Sequence, residues 1–140
     1  MRLHHVQISM PVGQEDLARR FYADALGLTE VAKPAALAGR GGCWFRAFTD
    51  GLVTAELHLG VDDPFAPAKK AHPALMVENP AELRALGERV AEAGFEVSWA
   101  ERTTFSGYER FHCRDGFDNR IEVMTTLGKP ERGDRPGPAN

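Results

Sequence analysis

No apolar run in this chain is longer than a few residues. A bilayer needs roughly 18 to 20, so a helical membrane span is excluded. The opening Met1-Arg2-Leu3-His4-His5 lacks the apolar stretch of a secretory signal, and a cytoplasmic location is expected. Cysteine is scarce. Cys43 and Cys113 stand 70 residues apart with no CxxC pair, which argues against a structural zinc knot or a disulfide framework and leaves two reduced, structural thiols. The net charge is only -3 and the acids and bases are interleaved. Without a cationic stripe to displace counterions from a phosphate backbone, nucleic acid is not an expected partner.

What is present is one domain built from two similar halves. A chain of 140 residues can bury most of its surface around a single core. The first half, residues 1–60, opens with an alternating strand over 3–10 that Pro11 ends. A helix follows over 13–26, with Leu17, Phe21, Ala25 and Leu26 at three- and four-residue spacing and Gly27 as its stop. Strand patterns then cover 28–33, 42–48 and 52–60. A connector over 61–70 leads to the second half, residues 71–126, which repeats the order. A strand covers 72–77. Asn79-Pro80 supplies an N-cap and a first-turn proline for a helix whose Leu83, Leu86, Val90 and Ala93 share a face, and Gly94 ends it. Strands over 95–99, 108–114 and 120–126 complete it, with Asp115-Gly116 and Asp118-Asn119 turning the last pair.

His5 to His72 and Gly27 to Gly94 each span 67 residues, and Glu56 to Glu122 spans 66. This repeat predicts an α+β fold of two tandem βαβββ modules over 1–126. Their curled mixed sheets, paired edge to edge, would enclose a cup across which matching residues face each other. Residues 127–140, with Lys129-Pro130, Gly133 and Pro136-Gly137-Pro138, hold almost nothing apolar and are expected to form a flexible tail.

Alternation along a strand decides which side chains face the cup. Val6, Ile8 and Met10 form the apolar set of the first strand, which puts His5, Gln7 and Ser9 on the cup side and His4 beside the core. Glu56 and His58 share the polar face of the fourth strand and compete for one role. His72 leads the fifth strand, and Glu122 faces away from Ile121 and Val123. Two imidazoles and two carboxylates suit one divalent ion per site, such as Zn, Ni, Co, Mn or Fe(II). Such an ion can polarise a carbonyl or stabilise an enediolate, with a carboxylate nearby as base. Metal ligation is therefore expected at His5, His72, Glu122 and Glu56, with His58 as the rival of Glu56. Trp44, Arg46, Tyr108, Arg110 and His112 also fall on polar faces and, with Gln7 and His58, are candidate substrate contacts. For Trp44, packing is the plainer account; for Tyr108, Arg110 and His112, a solvated polar face predicts the same pattern.

His5-Val6 in a first strand, Phe21-Tyr22 and Leu26-Gly27-Leu28 at the end of the first helix, and Asp115-Gly116 through Asn119-Arg120-Ile121-Glu122 form a pattern over about residues 3–126. It resembles the vicinal oxygen chelate superfamily, which includes glyoxalase I, fosfomycin-resistance transferases, extradiol dioxygenases and the metal-free bleomycin-resistance proteins. The resemblance implies paired βαβββ modules, one metal per cup, a small-molecule substrate and often a homodimer in which modules of two chains complete each site. Bacterial-type glyoxalase I carries a His-Glu-His-Glu set, and His5, Glu56, His72 and Glu122 stand at the matching positions.

Where the superfamily's fosfomycin transferases have a threonine two residues after the first His, this chain has Gln7. Its length is about half that usual for an extradiol dioxygenase. The expected activity is that of a metal-dependent lyase or isomerase, with Glu122 or Glu56 moving a proton. The alternatives are a drug-sequestering protein of the bleomycin-resistance kind, for which Trp44, Trp99 and Phe105 would matter most, or a single-domain dioxygenase-like member.

Overall fold

The computed structural model describes residues 1–128; from residue 129 onward the expected tail lies outside the described residues. The N-terminal module contains β1 (Val6–Met10), α1 (Glu15–Arg19), β2 (Thr29–Val31), α2 (Ala35–Ala38), β3 (Cys43–Thr49) and β4 (Leu52–Val61). The C-terminal module contains β5 (Ala74–Met76), α3 (Pro80–Glu92), β6 (Val97–Ser98), β7 (Tyr108–Arg114) and β8 (Arg120–Thr126). Each module folds into a four-stranded mixed sheet, in the orders β1-β4-β3-β2 and β5-β8-β7-β6. In both sheets the first strand runs parallel to the last and the other pairs are antiparallel.

The helices start and stop for local reasons. α1 carries Glu15 and Asp16 in its first turn, where the helix dipole favours negative charge. It continues through a wider π-helical turn, Arg20–Ala25, in which consecutive Phe21 and Tyr22 are both fully buried. Gly27 then adopts a φ of 81°, which a side chain would oppose. Ahead of α3, the Asn79 side chain accepts from the Glu82 amide at 2.9 Å while Glu82 accepts from the Glu78 amide at 3.0 Å. Leu83, Leu86, Gly87 and Val90 face the core. The expected edge strands are shorter in the structure, with β6 only two residues long, because an edge strand is held from one side only. The short α2 has no counterpart in the sequence reading.

One apolar core joins the halves. It combines Ile8, Met10, Phe45, Leu57 and Leu59 of the first sheet with Phe111, Cys113, Ile121 and Val123 of the second, and with Phe21, Tyr22, Leu83, Leu86 and Val90 of the helices. Burial pushes the Cys43 and Cys113 thiols up to about 11 and about 12, so both stay protonated packing groups. The DG-to-N turn before β8 is a latch between modules. Asp115 Oδ1 accepts from the amides of Phe117 and Asn119 at 2.8 and 2.9 Å, and Oδ2 accepts from Asn119 Nδ2 at 2.9 Å and from the Tyr22 hydroxyl at 2.7 Å. Asn119 Nδ2 also donates to the Ser9 carbonyl at 2.9 Å. Tyr22 and Ser9 belong to the first module, so the turn holds the two halves together.

Two features differ from the sequence expectation. The sheets are not paired edge to edge: among the described residues no ladder joins them. Both turn their apolar faces to the shared core, so the faces bearing Glu56 and Glu122 look away from it. The repeat is also imperfect. Arg46 lies opposite Glu56 and His112 opposite Glu122, so the carboxylates keep the offset of 66. Extending the β1 ladder by one residue puts His5 beside Glu56, whereas Ala74 pairs with Glu122 and His72 lies two residues earlier. A shift of two preserves the strand face, which is why both imidazoles still reach the polar side.

Candidate metal centre

The C-terminal module gathers a compact donor group. Glu122 stands on β8, His112 faces it across the β7–β8 pair, and His72 precedes β5. One donor atom from each lies within 4.8 Å of the others, the only such group of three among the described residues. Glu122 Oε2 is 3.0 Å from His72 Nε2 and 3.7 Å from His112 Nε2. Two ligands on one ion, with bonds of roughly 2.0 to 2.2 Å at near right angles, sit about 3 Å apart, so the residues fit a divalent ion.

Proton accounting supports the same fit. His72 Nδ1 lies 2.6 Å from the Lys70 carbonyl, which can only accept, so Nδ1 carries the hydrogen. A neutral ring then turns a lone pair on Nε2 toward a carboxylate oxygen that also only accepts. Such a contact needs a second proton or a shared cation between the two atoms, and a ring fixed from its far side is the usual setting of a metal-bound histidine. His112 Nε2 is buried without a hydrogen-bond partner. Burial lowers the pKa of His112, which keeps a neutral imidazole available as a donor. At Glu122, burial pushes the pKa up, but the hydrogen bond and positive charge of Arg110 and the approach of the imidazoles outweigh it and the carboxylate stays ionised.

Arg110 fixes the orientation of Glu122. Its Nη1 donates to Glu122 Oε1 at 2.9 Å, leaving Oε2 toward the imidazoles. Its other nitrogens donate to the Glu101 carbonyl and carboxylate, both at 3.1 Å, and to Thr104 Oγ1 at 2.9 Å. The arginine expected to contact substrate is thus occupied by the chain itself. Tyr108, also expected there, packs at 4.8 Å against Phe105.

The N-terminal module holds a second cluster of different character. His5 stacks on His58 at 4.1 Å, and His58 stacks on Trp44 at 3.7 Å with the rings almost parallel. His58 Nε2 lies 2.7 Å from Glu56 Oε1, and Arg46 Nε donates to Oε2 at 2.9 Å. The Arg46 hydrogen bond, helped by His58 and opposed by burial, holds the Glu56 carboxyl at about 2. The rivals Glu56 and His58 are bonded to each other, and the Trp44 ring expected to face a ligand is covered by His58. Gln7 is exposed on the same strand face. The structure therefore brings His72 together with Glu122 and His5 together with His58 and Glu56, and within one chain these half-sites do not meet.

His112, expected as a substrate contact, stands in the group that could hold an ion. The turn over 115–119 fixes the β7–β8 register, and the turn residues together with polar alternation would have placed His112 opposite Glu122. The Lys70 carbonyl and the grip of Arg110 on Glu122 leave no signal in sequence.

Paired βαβββ modules with a His-Glu donor group on one polar face define the class. The chain belongs to the Glyoxalase/Bleomycin resistance protein/Dioxygenase superfamily, whose family model matches residues 2–123. A solved structure described as a glyoxalase family protein from Bacillus anthracis is 37% identical, with a TM-score of 0.74, over 90% of this chain and 99% of that one. A glyoxalase/dioxygenase from Nostoc punctiforme is 20% identical with a TM-score of 0.68, covering 91% and 92%. A fosfomycin resistance protein from Listeria monocytogenes is 18% identical with a TM-score of 0.64, covering 91% and 95%. These last two show the fold alone. No curated protein matches the chain. No described helix is long and apolar enough to cross a membrane.

Proposed function

We propose that this chain is a divalent-metal-dependent enzyme of the glyoxalase type, a lyase or isomerase acting on a small substrate chelated through adjacent oxygens. It works as a homodimer, each cup taking His72 and Glu122 from one copy and His5 and Glu56 from the other. The observation that carries this reading is the approach of His72 Nε2 to Glu122 Oε2 with the far side of the ring anchored on Lys70. The dimer is supported by the half-sites, since His5 and Glu56 stand outside the close donor group of His72, His112 and Glu122 in a single chain.

When bound, an ion such as Zn, Ni, Co, Mn or Fe(II) supplies Lewis-acid stabilisation of negative charge on a substrate oxygen. The chain does the rest. Arg110 holds Glu122 with one oxygen turned to the imidazoles, and His112 adds a buried nitrogen beside it. Glu122 and Glu56 move the proton. Both are ionised at neutral pH and so able to accept a proton. A sequestering protein would need open aromatic faces, whereas Trp44 is stacked on His58 and Trp99 packs on Phe111.

The test is the metal content of protein purified without chelator, together with its mass in solution. One ion per chain is expected in a dimer, with metal lost in both His5→Ala and His72→Ala. A wild type that carries no metal and shows no thermal shift with added Ni, Zn, Mn or Fe(II) would sink the proposal.

A further inference from the structure

A buried imidazole nitrogen without a hydrogen-bond partner and a guanidinium that donates none meet at one small cavity. It has a volume of about 180 Å³, adjoins the donor group, and is lined by His112, Arg120, Arg114, Ser98, Glu96 and Glu101. The Arg120 side chain is only 21% exposed, yet it donates no hydrogen bond to any described residue. Its nearest acid is Glu101, 3.7 Å away, beyond hydrogen-bond reach, half exposed and already bonded to Arg110 at 3.1 Å. His112 Nε2 is buried and unpartnered on the adjoining wall. Arg114, by contrast, donates to the Asp118 carbonyl at 2.9 Å. Glu96 is exposed, so solvent screens its charge.

A mostly covered guanidinium that makes no hydrogen bond to a described residue keeps its N–H donors free for an acceptor entering the cavity. Its planar fork matches a carboxylate. Arg120 and Glu122 are two residues apart on one face of β8, which separates them by roughly 6 to 7 Å along the strand. His112 borders both the donor group and the cavity.

We propose that this cavity receives a carboxylate of the substrate, bound by Arg120, so that the substrate class is a small chelating acid with a second carboxylate a few bonds from its paired oxygens. This rests on the metal-centre reading above.

Lactate and malate test it, because they share a hydroxy-acid chelating end and differ in the second carboxylate. Each is titrated into Co(II)-loaded full-length protein, and the visible Co(II) bands report binding. Wild type should bind malate at least tenfold more tightly than lactate. Arg120→Gln should lose that preference with lactate and Co(II) affinity unchanged, and Arg120→Lys, which keeps the charge without the fork, should fall between. Equal affinity for the two acids in wild type, including no response to either, overturns the subsite, as does a preference that survives Arg120→Gln. A wild type that binds no Co(II) overturns the metal-centre reading instead.

Discussion

Replacing Tyr22 with Phe removes one oxygen from the latch between the modules and leaves the ring in place. The Tyr22 hydroxyl donates to Asp115 Oδ2 at 2.7 Å; the tyrosine is fully buried and Asp115 is 5% exposed. Hydrogen bonds to charged groups contribute about 1.5 to 3 kcal/mol. Asp115 keeps three other donors, from Phe117 N, Asn119 N and Asn119 Nδ2, so its carboxylate is not left bare. The loss should then fall at the lower end, about 1.5 to 2 kcal/mol. For a domain of this size that is a drop in Tm of roughly 4 to 10 °C. Urea unfolding should show a lower midpoint with an unchanged m-value, because no buried surface is added or removed. Asp115→Asn, which removes the charge that all four donors share, should cost more than Tyr22→Phe. If Tyr22→Phe unfolds within 1 °C of wild type, the latch does not hold the modules together as argued.

Acid should release the N-terminal cluster. The folded Glu56 carboxyl titrates at about 2 against an ordinary 4.5, so its contribution to stability is complete above the ordinary value and is lost as pH falls toward 2. Trp44 fluorescence should follow that transition through His58, and Arg46→Gln should move it to higher pH; a transition indifferent to Arg46 would contradict the assignment. Gly87→Ala should cost about 1 to 3 kcal/mol in urea unfolding, because the added Cβ would meet Trp99 Cζ2 at 2.6 Å beside Phe111. Arg110→Met should weaken metal binding by roughly 10- to 100-fold in a competitive chelator titration, as losses of outer-shell partners do. An unchanged affinity would mean that Glu122 needs no orientation.

The modules were legible because their signals are local. The three- and four-residue spacing of Leu17, Phe21, Ala25 and Leu26, the glycine stop at Gly27, and the Asn79-Pro80 start all act within one or two turns of chain. Strand alternation likewise sent Glu56, His58, Glu122, Arg110 and His112 to the polar faces, because side-chain direction follows from the pleat alone. Partners were less legible. Alternation could not show that Trp44 would be capped by His58, that Arg110 would be consumed by Glu101, Thr104 and Glu122, or that Arg120 would be left without an acceptor, since each depends on rotamers and on loops brought in from elsewhere.

The sequence by itself determined the repeat, the faces and the family resemblance, all of which follow from periodicity and short-range chemistry. Only the tertiary structure decided how the faces are disposed. Two amphipathic modules joined by a connector can bury their apolar sides against one another or line up edge to edge, and the hydrophobic pattern is satisfied either way. The shared core of Phe21, Tyr22, Leu83 and Phe111, latched by Asp115, selects the first arrangement. That choice places His5 with Glu56, and His72 with Glu122 and His112, in two separate half-sites.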